Sequence, residues 1–185
     1  MRIITISSAP DLTPCDYLIR RLGPADAAAY RALRRRGLAE HADAFTSSFE
    51  EENAKPLAAI ERRLAPDSGD AVWGALAGEV LAGMVGLGRE ARAKGRHRAL
   101  VFGMYVAPEH GGRGVGTALL QHLIGEARRQ PGLEQLTLTV TDTNAGARAL
   151  YEKAGFRSFG IEPRAIRVGD RYHGKNHMIL FLNPP

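Results

Sequence analysis

The first alternation of apolar and polar positions is DYLIRRL (residues 16–22), which has the period of a strand and is broken at Gly23-Pro24, where a helix can begin. Residues 25–41, rich in Ala, Leu and Arg, predict that helix, and Ser47-Ser48 ahead of Glu50, Glu51 and Glu52 has the form of a capped start to a second. Residues 71–77 and 80–87, separated by Gly78-Glu79, predict two strands of a hairpin with Trp73 in the core beneath it. The polar stretch EARAKGR (90–96) predicts a mobile loop, and ALVFGMYV (99–106) a buried strand stopped by Pro108. In TALLQHLIGEARRQ (117–130), Leu119, Leu120, Leu123, Ile124 and Ala127 fall on one helical face. Leu136, Leu138 and Val140 then alternate with Thr137, Thr139 and Thr141 in a strand. Asn144 sits where a helix N-cap belongs, Ala147, Leu150, Tyr151 and Ala154 form that helix's apolar stripe, and Gly155 suits its C-terminal end. Residues 156–182 hold short strand-like pieces around a turn at Gly169-Asp170.

Composition narrows the class. A chain of 185 residues, 44% hydrophobic and 24% charged, suits one globular domain, here residues 16–185, behind a flexible leader at 1–15. No run reaches the roughly 20 apolar residues of a membrane-spanning helix, and the leader lacks the apolar core of a secretory signal. Cys15 is alone, so no internal disulfide forms, and a reducing cytoplasm fits. No spacing of histidines and acids suggests a metal site. The net charge of +5 suits nucleic acid, a membrane surface or a polyanionic cofactor alike. Arg34-Arg35-Arg36 reads as one solvated helix face, because no aromatic residues interleave it as they would in a strand of nucleic-acid contacts.

The segment joining the strand at 99–106 to the next helix carries the chemistry. Glycines between a strand and a helix let backbone N–H groups point at an anion, with the positive end of the helix dipole behind them. Gly112, Gly114 and Gly116 form such a loop. A nucleotide-hydrolysing loop needs Lys after Gly116, where Thr117 stands, and Thr117 also breaks the dinucleotide-binding pattern. The loop by itself serves equally as a plain structural turn.

Two stretches together, VAPEHGGRGVGTALL (106–120) and NAGARALYEKAGF (144–156), resemble the two cofactor motifs of the GNAT superfamily of N-acyltransferases. The order of elements over residues 16–182 extends the likeness. The resemblance implies an α/β (α+β) fold, with a mixed, mostly antiparallel sheet of six to seven strands, splayed between strands 4 and 5 and flanked by about four helices. It implies acetyl-CoA as cosubstrate. The backbone at Met104, Tyr105 and Val106 would pair with the pantetheine arm, and the loop of Gly111, Gly112, Arg113, Gly114, Val115, Gly116 and Thr117 would take the pyrophosphate. Arg113 would add a charged contact. Asn144 would contact the pantetheine region, and Tyr151 would lie near the sulfur. The family usually has Gln or Arg at the position of Gly111, so this chain departs from the pattern there. HADAFTSSFEEE (41–52), RHRALVFGMYV (96–106) and EPRAIRVGDRYHG (162–174) resemble a bacterial branch whose acceptors are mostly unassigned.

The chemistry explains a tyrosine near the sulfur. Coenzyme A leaves as a thiolate whose parent thiol has a pKa of about 8.5, and a phenol at about 10 can give it a proton, so Tyr151 is the candidate general acid. A primary amine of pKa about 10.4 is almost wholly protonated near neutrality and needs a proton acceptor. The family often places an acid on its fourth or fifth strand, but neither Gly103 nor residues 137–141 offer a carboxylate here. The resemblance then points to Glu50 and Glu51, near the start of the helix with which the family walls the acceptor site, and His97 and Glu162 are further candidates. Direct transfer in a ternary complex needs no covalent enzyme intermediate, and Cys15, ahead of the first strand, is a poor acyl carrier. The expected acceptor is a small-molecule amine or amino acid derivative. A protein N-terminus or lysine is the alternative, and a non-catalytic acyl-CoA sensor is the reading from another class. The expected partners include no nucleic acid and no membrane, and the expected assembly is a monomer or homodimer.

Overall fold

A computed structural model describes residues 17–183. The expected leader and Cys15 lie outside the described residues. Seven strands form one sheet, β1 (Leu18–Arg21), β2 (Asp70–Ala77), β3 (Val80–Arg89), β4 (Arg98–Val106), β5 (Gln135–Thr141), β6 (Arg157–Val168) and β7 (Arg171–Phe181), in the order β1-β2-β3-β4-β5-β7-β6. Every neighbouring pair is antiparallel except β4 and β5. The expected mixed, mostly antiparallel sheet is therefore present. The tail forms longer strands than its sequence suggested, with β7 inserted between β5 and β6.

The helices are α1 (Ala27–Glu40), α2 (Phe49–Ala54), α3 (Leu57–Leu64), α4 (Val115–Arg128) and α5 (Ala145–Lys153). The second helix expected from the sequence is two. Pro56 holds Lys55 in extended backbone at ψ 127 and has no N–H to continue the ladder, so the chain breaks after Ala54 and restarts at Leu57. Among the described residues no helix is long and apolar enough to cross a membrane.

Both sheet faces are covered, which is why β2 and β3 are apolar through most of their length rather than alternating. On one face Leu119, Leu120, Leu123, Ile124 and Ala127 of α4 join Tyr151 of α5 and Trp73 in the larger core. Each fully buried leucine there contributes about 1.5–3 kcal/mol of burial free energy. On the other face Tyr30 and Leu33 of α1 and Ile60 of α3 pack on Met84 and Tyr105.

The arginine run is not one solvated face. Successive helical residues step by about 100° around the axis, so three in a row cannot point the same way. Arg36 is exposed and pairs with Glu40 and Glu109, whereas Arg34 turns under the sheet and is 8% exposed.

Candidate active site

The sheet opens at its centre. β4 and β5 are paired through Arg98↔Gln135, Ala99↔Leu136 and Leu100↔Thr137, and among the described residues no further pairs join them. Residues 101–106 thus present one edge of β4 to a gap. The register of β4 on β3 shifts between Gly86↔Phe102 and Met84↔Tyr105, so Val85 faces both Gly103 and Met104. This is a β-bulge, and Gly103 takes it at φ +63, in the left-handed region that a Cβ disfavours. The gap widens into a cavity of about 780 Å³. Met104, Asn144, Ala147 and Tyr151 line it from one face of the sheet, and Tyr30, Arg34, Phe45 and Phe102 from the other.

The glycine-rich loop stands at the start of α4. Gly111 ends a short 3-10 turn and its N–H is bound to Pro108 O at 2.9 Å, so that amide is not available to a ligand. This removes Gly111 from the expected donors. Gly114 is the N-cap of α4 in the left-handed conformation, φ +76 and ψ 3, and no side chain caps the helix. The first bond into α4 is Ala118 N–H to Gly114 O. The N–H groups of Val115, Gly116 and Thr117 precede it and have no intrahelical acceptor, the condition that makes a helix start an anion cradle.

Tyr151 and Asn144 reach the same gap from α5. The Tyr151 hydroxyl donates to Met104 Sδ at 3.6 Å, the ring is 8% exposed, and Phe156 holds it edge-on at 6.0 Å. Burial pushes the Tyr151 phenol up to about 12, which keeps its proton in place. Asn144 Oδ1 accepts from Ala147 N–H at 3.0 Å, the expected N-cap, and its Nδ2 is the donor that can serve a ligand. Asn144→Ala should therefore cost about 1 kcal/mol of stability, a fall of roughly 2–4 °C in Tm, which a thermal melt measures.

Met104 packs toward α4 and α5, whereas Tyr105 points to the opposite face, buried against Gly37 and hydrogen-bonded to Glu40. Burial, then the Glu40 carboxylate, raises the Tyr105 phenol. Only the backbone of Tyr105 can face the gap.

The expected bases are elsewhere. Glu51 closes a capping box with Ser48, both it and Glu50 are exposed on α2, and neither lines the cavity. The acids at 50–52 form the first turn of the capped helix that the sequence predicted, where the helix dipole favours them. His97 lies outside the cavity with its carbonyl bound to the amides of Glu134 and Gln135, and Glu162 pairs with His177 at 3.0 Å on the exposed β6–β7 hairpin. The acids that do line the cavity are Asp70 and Glu90, at the outer ends of β2 and β3, which the sequence reading missed because only the pairing of those strands brings them together. Arg63 Nε donates to Asp70 Oδ2 at 3.1 Å, and Arg92 bonds both Glu90 oxygens. The Arg92 guanidinium holds the Glu90 carboxyl down near 2.

One wall is fastened from below. Lys175 Nζ, buried on β7, donates to Ala44 O at 2.9 Å and to Thr141 Oγ1 at 2.8 Å, and Thr141 Oγ1 donates to Asp43 O at 2.6 Å. Residues 44–47 line the cavity, so this cluster fixes the loop between α1 and α2 against the end of β5.

Comparison with known proteins places this geometry. A model of the acetyltransferase (GNAT) family matches residues 34–156. The ribosomal protein bS18-alanine N-acetyltransferase of Escherichia coli (strain K12) is 45% identical over 86 residues, 46% of this chain and 55% of that protein. The L-methionine sulfoximine/L-methionine sulfone acetyltransferase of Pseudomonas aeruginosa is 32% identical over 108 residues, 58% of this chain and 62% of its own. The chain thus spans roughly half the length of the curated relatives it matches. Among solved structures, an acetyltransferase of the GNAT family from Streptococcus pneumoniae superposes with a TM-score of 0.81 at 26% identity, covering 90% of this chain and 99% of that one. The Salmonella typhimurium protein yncA, solved with its cofactor acetyl-CoA, superposes with a TM-score of 0.76 at 26% identity, covering 91% and 95%.

Proposed function

The chain belongs to the acetyltransferase (GNAT) family, and on that premise we propose that it transfers the acetyl group of acetyl-CoA directly to the amine of a small molecule. The observation that carries this reading is the gap between β4 and β5, which opens at the Gly103 bulge and is entered by the Tyr151 hydroxyl. The amides of Val115, Gly116 and Thr117 would hold the pyrophosphate, with Gly112 and Arg113 beside them. The unpaired edge of β4 at Met104, Tyr105 and Val106 would pair with the pantetheine amides as a further strand does, and Asn144 Nδ2 would add a donor. Backbone N–H at the bulge would polarise the acetyl carbonyl. Tyr151 holds a proton at its hydroxyl for the departing thiolate. Asp70 and Glu90 are the acids placed to receive the amine's proton, and Asp70 is the better base because Arg92 occupies both oxygens of Glu90.

A small acceptor suits a cavity of about 780 Å³ and the fastened loop at residues 44–47. The relative named for a ribosomal-protein alanine supplies the second reading, a protein N-terminus. Thiol release from acetyl-CoA, followed across a panel of small amines and N-terminal peptides, separates the two. Turnover confined to peptides would replace the first reading with the second.

The pH dependence follows from the phenol. The protonated hydroxyl is the competent form, and with its pKa up at about 12 it stays competent throughout the working range. The expected profile of kcat/KM has no basic limb due to Tyr151 below roughly pH 11. A limb near pH 10 that disappears in Tyr151→Phe would contradict the assignment.

A further inference from the structure

Arg34 is a buried cation facing the cavity. It is 8% exposed on α1, its guanidinium lies 4.4 Å over the Phe45 ring, and its Nη1 is buried without a hydrogen-bond partner. A Cβ placed on Gly103 would stand 3.8 Å from that Nη1, so the group is aimed at the bulge where β4 leaves β5. Arg63, stacked over Phe102 at 4.5 Å on the same wall, has its charge offset by Asp70 at its Nε, whereas Arg34 is left without a hydrogen-bonded anion among the described residues. Glu52 acts on Arg34 through space, but its Oε2 is bound by Lys55 and it does not hydrogen-bond the guanidinium. Burial lowers the Arg34 pKa, the signature of a desolvated cation with too little compensation. Such a group is unfavourable in the folded chain alone and becomes favourable when an anion arrives.

We propose that Arg34 receives the carboxylate of the acceptor, which makes the acceptor an α-amino acid or a short derivative that keeps a free carboxylate beside its amine. This rests on the acetyl-transfer reading above and specifies its substrate class. The planar fork of a guanidinium matches a carboxylate with two parallel N–H bonds. Its position beside the bulge puts that anion a few bonds from the reacting amine, because the carbonyl is polarised at the same point of β4. The charge also selects against the same amine with its carboxylate masked or removed, since an unpaired guanidinium would then stay buried.

The test begins with binding of acetyl-CoA to the full chain. Thiol release is then measured with matched sets: free L-amino acids, their carboxamides, the decarboxylated amines, the aminophosphonates and N-terminal tripeptides. The free amino acids should show kcat/KM at least about tenfold above their amides and decarboxylated partners. Arg34→Met should bring each pair to parity by raising the KM of the carboxylate member, with KM for acetyl-CoA unchanged and Tm at or above that of the parent. Arg34→Lys should restore part of the preference. Equal or better turnover of amides, simple amines or tripeptides overturns the proposal, and a phosphonate preferred over its carboxylate overturns the carboxylate assignment. A uniform loss on every acceptor with a lowered Tm would make Arg34 a structural residue. Tight acetyl-CoA binding with no turnover of any amino acid overturns this inference alone, whereas no acetyl-CoA binding overturns the transfer reading with it.

Discussion

Replacing Tyr151 with phenylalanine should lower kcat for acetyl transfer about a hundredfold or more, while acetyl-CoA binds as before. Among the described residues the hydroxyl bonds weakly to the Met104 thioether at 3.6 Å, and the ring's packing against Phe156 does not depend on it. Its removal therefore leaves the fold and the neighbouring wall intact. What is lost is the proton source at the point where the thiolate leaves. A thiolate expelled without that donor leaves unprotonated, so the penalty falls on the transition state rather than on binding. Single-turnover kinetics with saturating acetyl-CoA report the step directly. A variant with normal kcat would remove Tyr151 from the mechanism and leave it as a core aromatic.

Gly114→Val should abolish measurable acetyl-CoA binding, through the backbone rather than through a lost side chain. Gly114 holds φ +76 at the N-cap, and a β-branched residue there costs more than the roughly 1–2 kcal/mol of an ordinary left-handed residue. Relief comes by turning the loop, which reorients the N–H groups of Val115, Gly116 and Thr117. Hydrogen bonds to a charged acceptor are worth about 1.5–3 kcal/mol each, so losing two of them exceeds a hundredfold in affinity. Gly116→Ala is the matched control. Its Cβ would lie 3.4 Å from Met104 Cε in ordinary contact and the position is already helical, so binding should persist. Calorimetry on both variants, with melts to show that each is folded, distinguishes a cradle from a structural turn.

The parts of the site legible in the sequence are those encoded locally. A glycine run between a strand and a helix, an asparagine at a helix start and the stripe containing Tyr151 each state their structure within about ten residues; Asn144 and Tyr151 line the gap, and Gly116 stands beside Met104 at its edge. What could not be read depends on long-range placement. Arg34 looked solvated beside two other arginines, and only its angular position on α1 relative to the sheet buries it. Glu50 and Glu51 are candidate bases through the family's use of the second helix as an acceptor wall, yet both are exposed on α2 and outside the cavity, which depends on where the short helix sits against the sheet. Asp70 and Glu90 reach the cavity from the outer ends of β2 and β3, 20 residues apart in sequence, and no local pattern announces that meeting. The break at Pro56 was visible in principle, since a proline preceded by a polar run and followed by LAAIERRL marks a new helix.

Calorimetric titration of the purified chain with acetyl-CoA, with Gly114→Val alongside, tests most directly the claim that the gap between β4 and β5 is built for this cosubstrate. Saturable one-to-one binding in the micromolar range by the parent chain, absent in the folded variant, is the predicted result. No heat from a properly folded parent chain, or equal binding by both proteins, would contradict it.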